Sequence, residues 1–159
     1  MVLRDEYFSQ LEAFREKKVI KVFTGLRRCG KSFLMQQFIE KLRAEGISDK
    51  QIIYFRLDDM ENEPLLDYRV LYSTILARIT DGRMSYIFLD EVQLCPQFQK
   101  AVDSLYNKTQ TDIYITGPNS DLLSGELATL LSGRCVTIDM QPFSFAEYLH
   151  ERTEQALPV

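Results

Sequence analysis

Gly25-Leu26-Arg27-Arg28-Cys29-Gly30-Lys31-Ser32 matches the pattern G-x-x-x-x-G-K-[ST] at every fixed position. At average residue usage such a match arises by chance in about half a percent of chains of this size. The flanks suit the same reading. Val19–Thr24 is a β-branched and aromatic run that predicts a strand, and Phe33-Leu34-Met35 opens a helical pattern. A strand, a glycine-containing loop and a helix together form a phosphate cradle. Gly25 and Gly30 let the backbone curl close to a ligand. The N–H groups of Leu26, Arg27, Arg28, Cys29 and onward to Phe33 then converge on phosphate oxygens, helped by the positive end of the helix. Lys31 carries a point charge to the β- and γ-phosphates, and Ser32 offers a hydroxyl to Mg²⁺. The competing reading is a glycine turn ahead of a helix with no ligand.

Further along, Ser85-Tyr86-Ile87-Phe88-Leu89-Asp90-Glu91 is an apolar strand that ends in two acids. In a parallel sheet that end lies on the carboxyl edge, where ligands sit. Asp90 is then the candidate for the Mg²⁺ shell and Glu91 for polarising an attacking water. Strands often end in acids, so the pair draws its meaning from its place after a complete loop, with another strand and helical patterns between. The strand between them, Gln51–Leu57, suits ATPases with an additional strand. No N-K-x-D string is present, which speaks against guanine nucleotides.

The rest of the chain alternates in the same way. Asp112–Thr116 and Arg134–Asp139 complete five predicted strands. Helical patterns run over Tyr7–Arg15, Lys31–Glu45, Leu65–Thr80, Phe98–Lys108, Ser120–Leu131 and Ser144–Arg152. Alternation of this kind predicts an α/β fold with a parallel sheet. Ile52-Ile53-Tyr54-Phe55 and Tyr86-Ile87-Phe88-Leu89 are continuously apolar, as strands covered on both faces are. The expected organisation is a helix over residues 1–18 and one core over 19–159, with nothing after the fifth strand long enough for a second domain.

Composition bounds the partners. The chain has 159 residues, 45% hydrophobic and 26% charged, enough for one globular core. A net charge of −4 disfavours affinity built on neutralising nucleic-acid phosphates. Cys29, Cys95 and Cys135 form no C-x2-C pair and there is a single His, so reduced thiols are expected and zinc is not. The charged start and the short apolar runs predict neither a signal peptide nor a membrane span, and a cytoplasmic protein.

Two further features keep two readings each. Thr116-Gly117-Pro118-Asn119-Ser120 puts polar residues at the carboxyl edge. Asn119, or failing that Thr116, could sense a γ-phosphate and orient water, or Asn or Ser could simply cap the next helix. Arg134 begins the fifth strand, on the edge away from its own nucleotide. It is either an arginine finger for a neighbouring subunit or a solvated strand-end residue.

Together these strings resemble an AAA-type P-loop ATPase. More narrowly, the chain is similar to a bacterial and archaeal group of ATP-binding proteins without assigned roles. The resemblance rests on Ile20 to Ser32, Leu89-Asp90-Glu91-Val92-Gln93, Ile115 to Ser120, Glu126 to Arg134 and Pro142-Phe143-Ser144-Phe145. It implies a three-layer fold with sheet order 5-1-4-3-2, an ATP/Mg²⁺ site, ADP as the product state, and sensor and finger roles for Asn119 and Arg134. It also implies a homo-oligomer in which Arg134 acts in trans, and an unknown protein partner. Pro118 departs from the small residue usual there; it lacks an N–H and restricts Gly117. Longer members add a lid and a C-terminal domain, which this chain does not reach. Three functions compete: an ATP hydrolase, a nucleotide-gated module with little turnover, and a DNA-associated motor fragment. The last is supported only by Arg27-Arg28 and scattered basic residues.

Overall fold

Five strands, all parallel, form one sheet in the order β2-β3-β4-β1-β5 in the computed structural model. They are β1 (Ile20–Gly25), β2 (Ile52–Arg56), β3 (Ser85–Asp90), β4 (Thr111–Thr116) and β5 (Cys135–Met140). This is the order 5-1-4-3-2 that the resemblance implies, read from the other edge. Residues 5–25, 30–80, 82–108, 110–122, 129 and 133–141 are described.

Side-chain alternation along the strands divides the core into two layers. Ile20, Val22, Ile87, Leu89, Ile113 and Ile115 face one side, where they pack with Leu71 and Ile75 of α3 (Tyr68–Arg78) and Val102 and Leu105 of α4 (Phe98–Tyr106). Phe23, Tyr86, Phe88, Tyr114 and Ile138 face the other, against Leu11 of α1 (Asp5–Phe14) and Leu34, Phe38 and Leu42 of α2 (Lys31–Ala44). That second layer is aromatic: Phe88 stacks on Tyr114 with centroids 4.6 Å apart, and Phe38 lies 5.3 Å from Tyr114. Burial on both faces explains the unbroken apolar runs.

Strand and helix limits fall within a few residues of those expected, with one correction. The pattern Leu65–Thr80 is not one helix. Met60–Leu66 is a 3₁₀ segment containing Pro64, and α3 starts only at Tyr68. Asp67 separates them, with extended backbone and a carboxylate that accepts from Arg69 N–H at 2.9 Å, which caps α3. A short 3₁₀ turn, Val92–Leu94, was not expected either. Of the predicted helix Ser120–Leu131, the structure describes α5 (Asn119–Leu122) and Thr129. The final predicted helix, Ser144–Arg152, lies outside the described residues.

The sheet also buries an ion pair. Lys21 and Asp112 are 0% and 1% exposed, and the Lys21 ammonium donates to both Asp112 Oδ1 and, at 3.0 Å, the Lys17 carbonyl. Asp112 Oδ2 accepts from Tyr114 Oη at 2.8 Å and Glu16 N–H at 2.9 Å. Burial lowers the Lys21 pKa against the pull of Asp112, and burial beside Asp112 raises that of Tyr114. Every lone pair in this cluster that needs a donor has one, so a charge within an apolar layer is tolerable here.

Candidate nucleotide site

Strand ends converge on the carboxyl edge of the sheet. Gly25 closes β1, Asp90 closes β3 beside Arg56 of β2, and Thr116 closes β4 beside Phe23. From this edge α2 departs through Gly30, whose backbone is left-handed at φ 92°. A side chain there would meet the steric cost of that region, which glycine avoids. Leu26, Arg27, Arg28 and Cys29 lie outside the described residues. The residues that follow are described: Lys31 is 6% exposed, and its ammonium donates to the Gly25 carbonyl at 2.7 Å.

A cavity of about 500 Å³ opens at this edge, lined by Gly30, Lys31, Ser32, Phe33, Asp58, Glu91, Gln93 and Leu94. The fold therefore brings Lys31 and Ser32 together with Glu91, residues far apart in the chain. Phe33 is 45% exposed and also borders a second hollow with Phe8 and Tyr54.

Asp90 is fully buried. Thr116 Oγ1 donates to Asp90 Oδ1 and accepts from Glu91 N–H at 2.9 Å, so one hydroxyl joins the ends of β3 and β4. Tyr54 Oη reaches Asp90 Oδ2 at 3.5 Å and accepts from Gln36 at 3.3 Å. Burial raises the Tyr54 pKa, which keeps it a neutral donor. Ser32 and Asp90 are hard oxygen donors of the kind Mg²⁺ takes alongside substrate phosphates. Among the described residues no group of three or more His, Cys, Asp or Glu could hold a metal ion.

Glu91 has a left-handed backbone, φ 56° and ψ 48°. For a residue with a Cβ this costs about 1–2 kcal/mol, and such strain gathers at functional positions. The bend starts the Val92–Leu94 turn, closed by Leu94 N–H to the Glu91 carbonyl at 3.2 Å. Gln93 Nε2 consequently donates to Glu91 Oε2 at 2.6 Å.

Sequence reasoning missed Gln93, Asp58 and Tyr54 as site residues. Asp58 is held by a two-pronged pair with Arg56, at 2.8 and 3.2 Å. The signal for it was strand order: the end of β2 neighbours the end of β3.

Two predicted residues stand apart. Asn119 opens α5 after the carboxyl end of β4, and its side chain is outside the described part of the structure. Arg134 precedes β5, on the opposite edge, where its guanidinium pairs with Asp103 Oδ1 and lies 5.7 Å from the Tyr106 ring. It is not brought to the cavity of its own chain.

Several known proteins are similar. An uncharacterized protein of Haemophilus influenzae is 40% identical over 153 residues, covering 96% of this chain and 38% of the relative. One from Methanocaldococcus jannaschii is 33% identical over 135 residues, covering 82% and 28%. The chain thus spans only 38% and 28% of the length of these two relatives. Among solved structures, Cdc6p from Pyrobaculum aerophilum superposes with a TM-score of 0.63 at 12% identity, over 100% of this chain and 52% of that one. A DNA polymerase III gamma subunit-related protein from Thermotoga maritima gives 0.62 at 9%, over 94% and 49%. These structures share the fold. Among the described residues no helix is long and apolar enough to cross a membrane. The AAA domain profile matches residues 17–149. With that match laid over a parallel sheet, a Gly-Lys-Ser helix start and an Asp-Glu strand end, the chain belongs to the AAA domain family of P-loop, nucleotide-binding ATPases.

Proposed function

We propose that this chain binds ATP with Mg²⁺ and hydrolyses its β–γ phosphoanhydride bond. The observation that carries this is the single cavity lined by Lys31, Ser32 and Glu91, beside buried Asp90. Lys31 would leave the Gly25 carbonyl for phosphate oxygens, a stronger charge-assisted partner. Ser32 and Asp90 would hold Mg²⁺, which when bound neutralises charge on the β- and γ-phosphate oxygens. The Glu91 carboxylate would take a proton from water as its oxygen attacks the γ-phosphorus, with ADP leaving through the broken bridging bond. Thr116 would keep Asp90 and Glu91 in register, and Asn119 would sense the γ-phosphate from the start of α5.

Titration of a fluorescent ATP analogue tests the common root of this reading. Lys31→Ala removes a mobile cation and keeps the backbone cradle. Its affinity should fall by about 1–3 kcal/mol, the scale of one charge-assisted partner. Equal affinity in the two proteins would sink the phosphate-loop assignment.

The Arg134–Asp103 pair favours slow turnover by a lone chain. If Arg134 serves a neighbour's site, it must exchange Asp103 for the neighbour's phosphate. Specific activity should then rise with protein concentration, and Arg134→Ala should abolish the rise without weakening ATP binding. Mixing Glu91→Gln with Arg134→Ala protein should restore activity, because one site in a mixed pair is intact. No recovery at any concentration leaves Arg134 as the outer clasp between β5 and α4. The alternative, a nucleotide-gated module with little turnover, predicts ATP binding without either effect. Adding DNA separates a motor fragment from both.

A further inference from the structure

We propose that Gln93 is a positioning residue that ties the Glu91 carboxylate to the loop after β4, so that the base and the sensing edge move as one unit. The inference rests on the hydrolytic reading of Glu91 given above.

Three observations carry it. First, the two ends of the Gln93 amide do different things. Its nitrogen donates to Glu91 Oε2 at 2.6 Å, while its oxygen Oε1 is buried and has no hydrogen-bond partner among the described residues. Leaving a buried carbonyl unpaired is costly, so packing holds the side chain here in spite of its polar end.

Second, the packing surface is Gly117. A Cβ built at that position would stand 2.8 Å from Gln93 Oε1 and 2.8 Å from Leu122 Cδ1. The missing methyl is thus the space that the Gln93 amide and Leu122 occupy. Gly117 is the residue after β4, and its N–H donates to the Phe23 carbonyl of β1 at 3.2 Å, which fixes it to the strand that feeds the phosphate loop.

Third, Glu91 needs such a brace. Its left-handed backbone at the head of a tight turn gives the carboxylate no support from a regular element. Its N–H is anchored on Thr116 by a hydrogen bond, and its side chain is held by the Gln93 amide, which packs in the space left by the adjoining Gly117. Both anchors are on one strand end, so a shift of the β4 loop carries the base with it. A carboxylate that must meet a water in line with the γ-phosphorus loses rate steeply when misplaced, while ground-state ATP binding, made by the loop and Lys31, does not depend on it.

The test uses steady-state hydrolysis and analogue binding on Gln93→Leu, which keeps the bulk against Gly117 and Leu122 and loses the donor. We expect kcat to fall about 10–100-fold, the scale of one charge-assisted hydrogen bond, with KM and analogue affinity unchanged. Gly117→Ala, whose methyl would displace the amide tip and also press on Leu122, should show the same split with Tm as its control. Because Gln93 acts through Glu91, adding Gln93→Leu to Glu91→Gln should cost no further rate in single turnover. A parent rate in Gln93→Leu overturns the proposal. So does a loss that multiplies with that of Glu91→Gln, or one that follows a fall in Tm, since each marks a purely structural role. A parent protein whose hydrolysis does not depend on Glu91 removes the underlying reading and this one with it, and the Glu91→Gln control alone reveals that case.

Discussion

Glu91→Gln should lower ATP hydrolysis by about 10²–10⁴-fold, the contribution of a positioned general base, and leave ATP binding intact. The substitution keeps shape, backbone preference and bulk. It also keeps the local contact, because the new side-chain carbonyl can still accept from Gln93 Nε2, which now bonds Glu91 Oε2. Asp90 and its Thr116 donor are untouched, so the acid proposed to hold Mg²⁺ stays in place. What disappears is the capacity to take a proton from water. Phosphate release at saturating ATP reads the loss, and the analogue titration used for Lys31→Ala reads the binding. Parent and variant hydrolysing at one rate would remove Glu91 as the base, whatever the binding shows.

Lys21→Met should destabilise the fold by about 3–5 kcal/mol, the usual cost of removing one partner from a buried pair. Asp112 would remain in the aromatic layer with donors from Tyr114 and Glu16 but no countercharge. The Lys17 carbonyl would lose one of its two donors and keep the Val19 N–H at 2.7 Å. Adding Asp112→Asn should recover part of the loss, since the buried charge is gone and an amide oxygen still accepts. Urea midpoints of the parent, single and double variants read this directly. An unchanged midpoint in Lys21→Met would mean the pair contributes nothing net. Since the cluster is at the edge remote from the phosphate loop, ATP affinity of the still-folded fraction should not change.

How legible these two sites were differs for a physical reason. Gly30, Lys31 and Ser32 are read together because phosphate recognition is made by consecutive backbone N–H groups, and a local requirement leaves a local string. Asp90 and Glu91 were legible at one remove. Their chemistry is ordinary, but strand alternation put them on the same edge as the loop. Lys21 was not legible. Within Ile20-Lys21-Val22 it looks like an outward charge in an alternating strand, and its partner is the equally unremarkable start of β4. Nothing in either stretch announces the other.

The same distinction separates the rest of the molecule. The sequence by itself determined the class of fold, the phosphate loop, the acidic strand end and the placement of Arg134 on the far edge, because each follows from short-range patterning or from the direction of a parallel strand. The strand order was implied by the family resemblance, but only tertiary structure decided which side chains touch across it. It placed Thr116 between Asp90 and Glu91, set the Gln93 amide over the bare Cα of Gly117, and joined Arg134 to Asp103. The later start of α3 within the predicted Leu65–Thr80 is a local matter, because the Asp67 carboxylate captures the Arg69 N–H that a helix continuing from Leu65 would have used. The long-range contacts depend on distances between elements far apart in the chain, and a hydrogen bond such as that from Glu91 N–H to Thr116 at 2.9 Å leaves no periodic trace in the residues that make it.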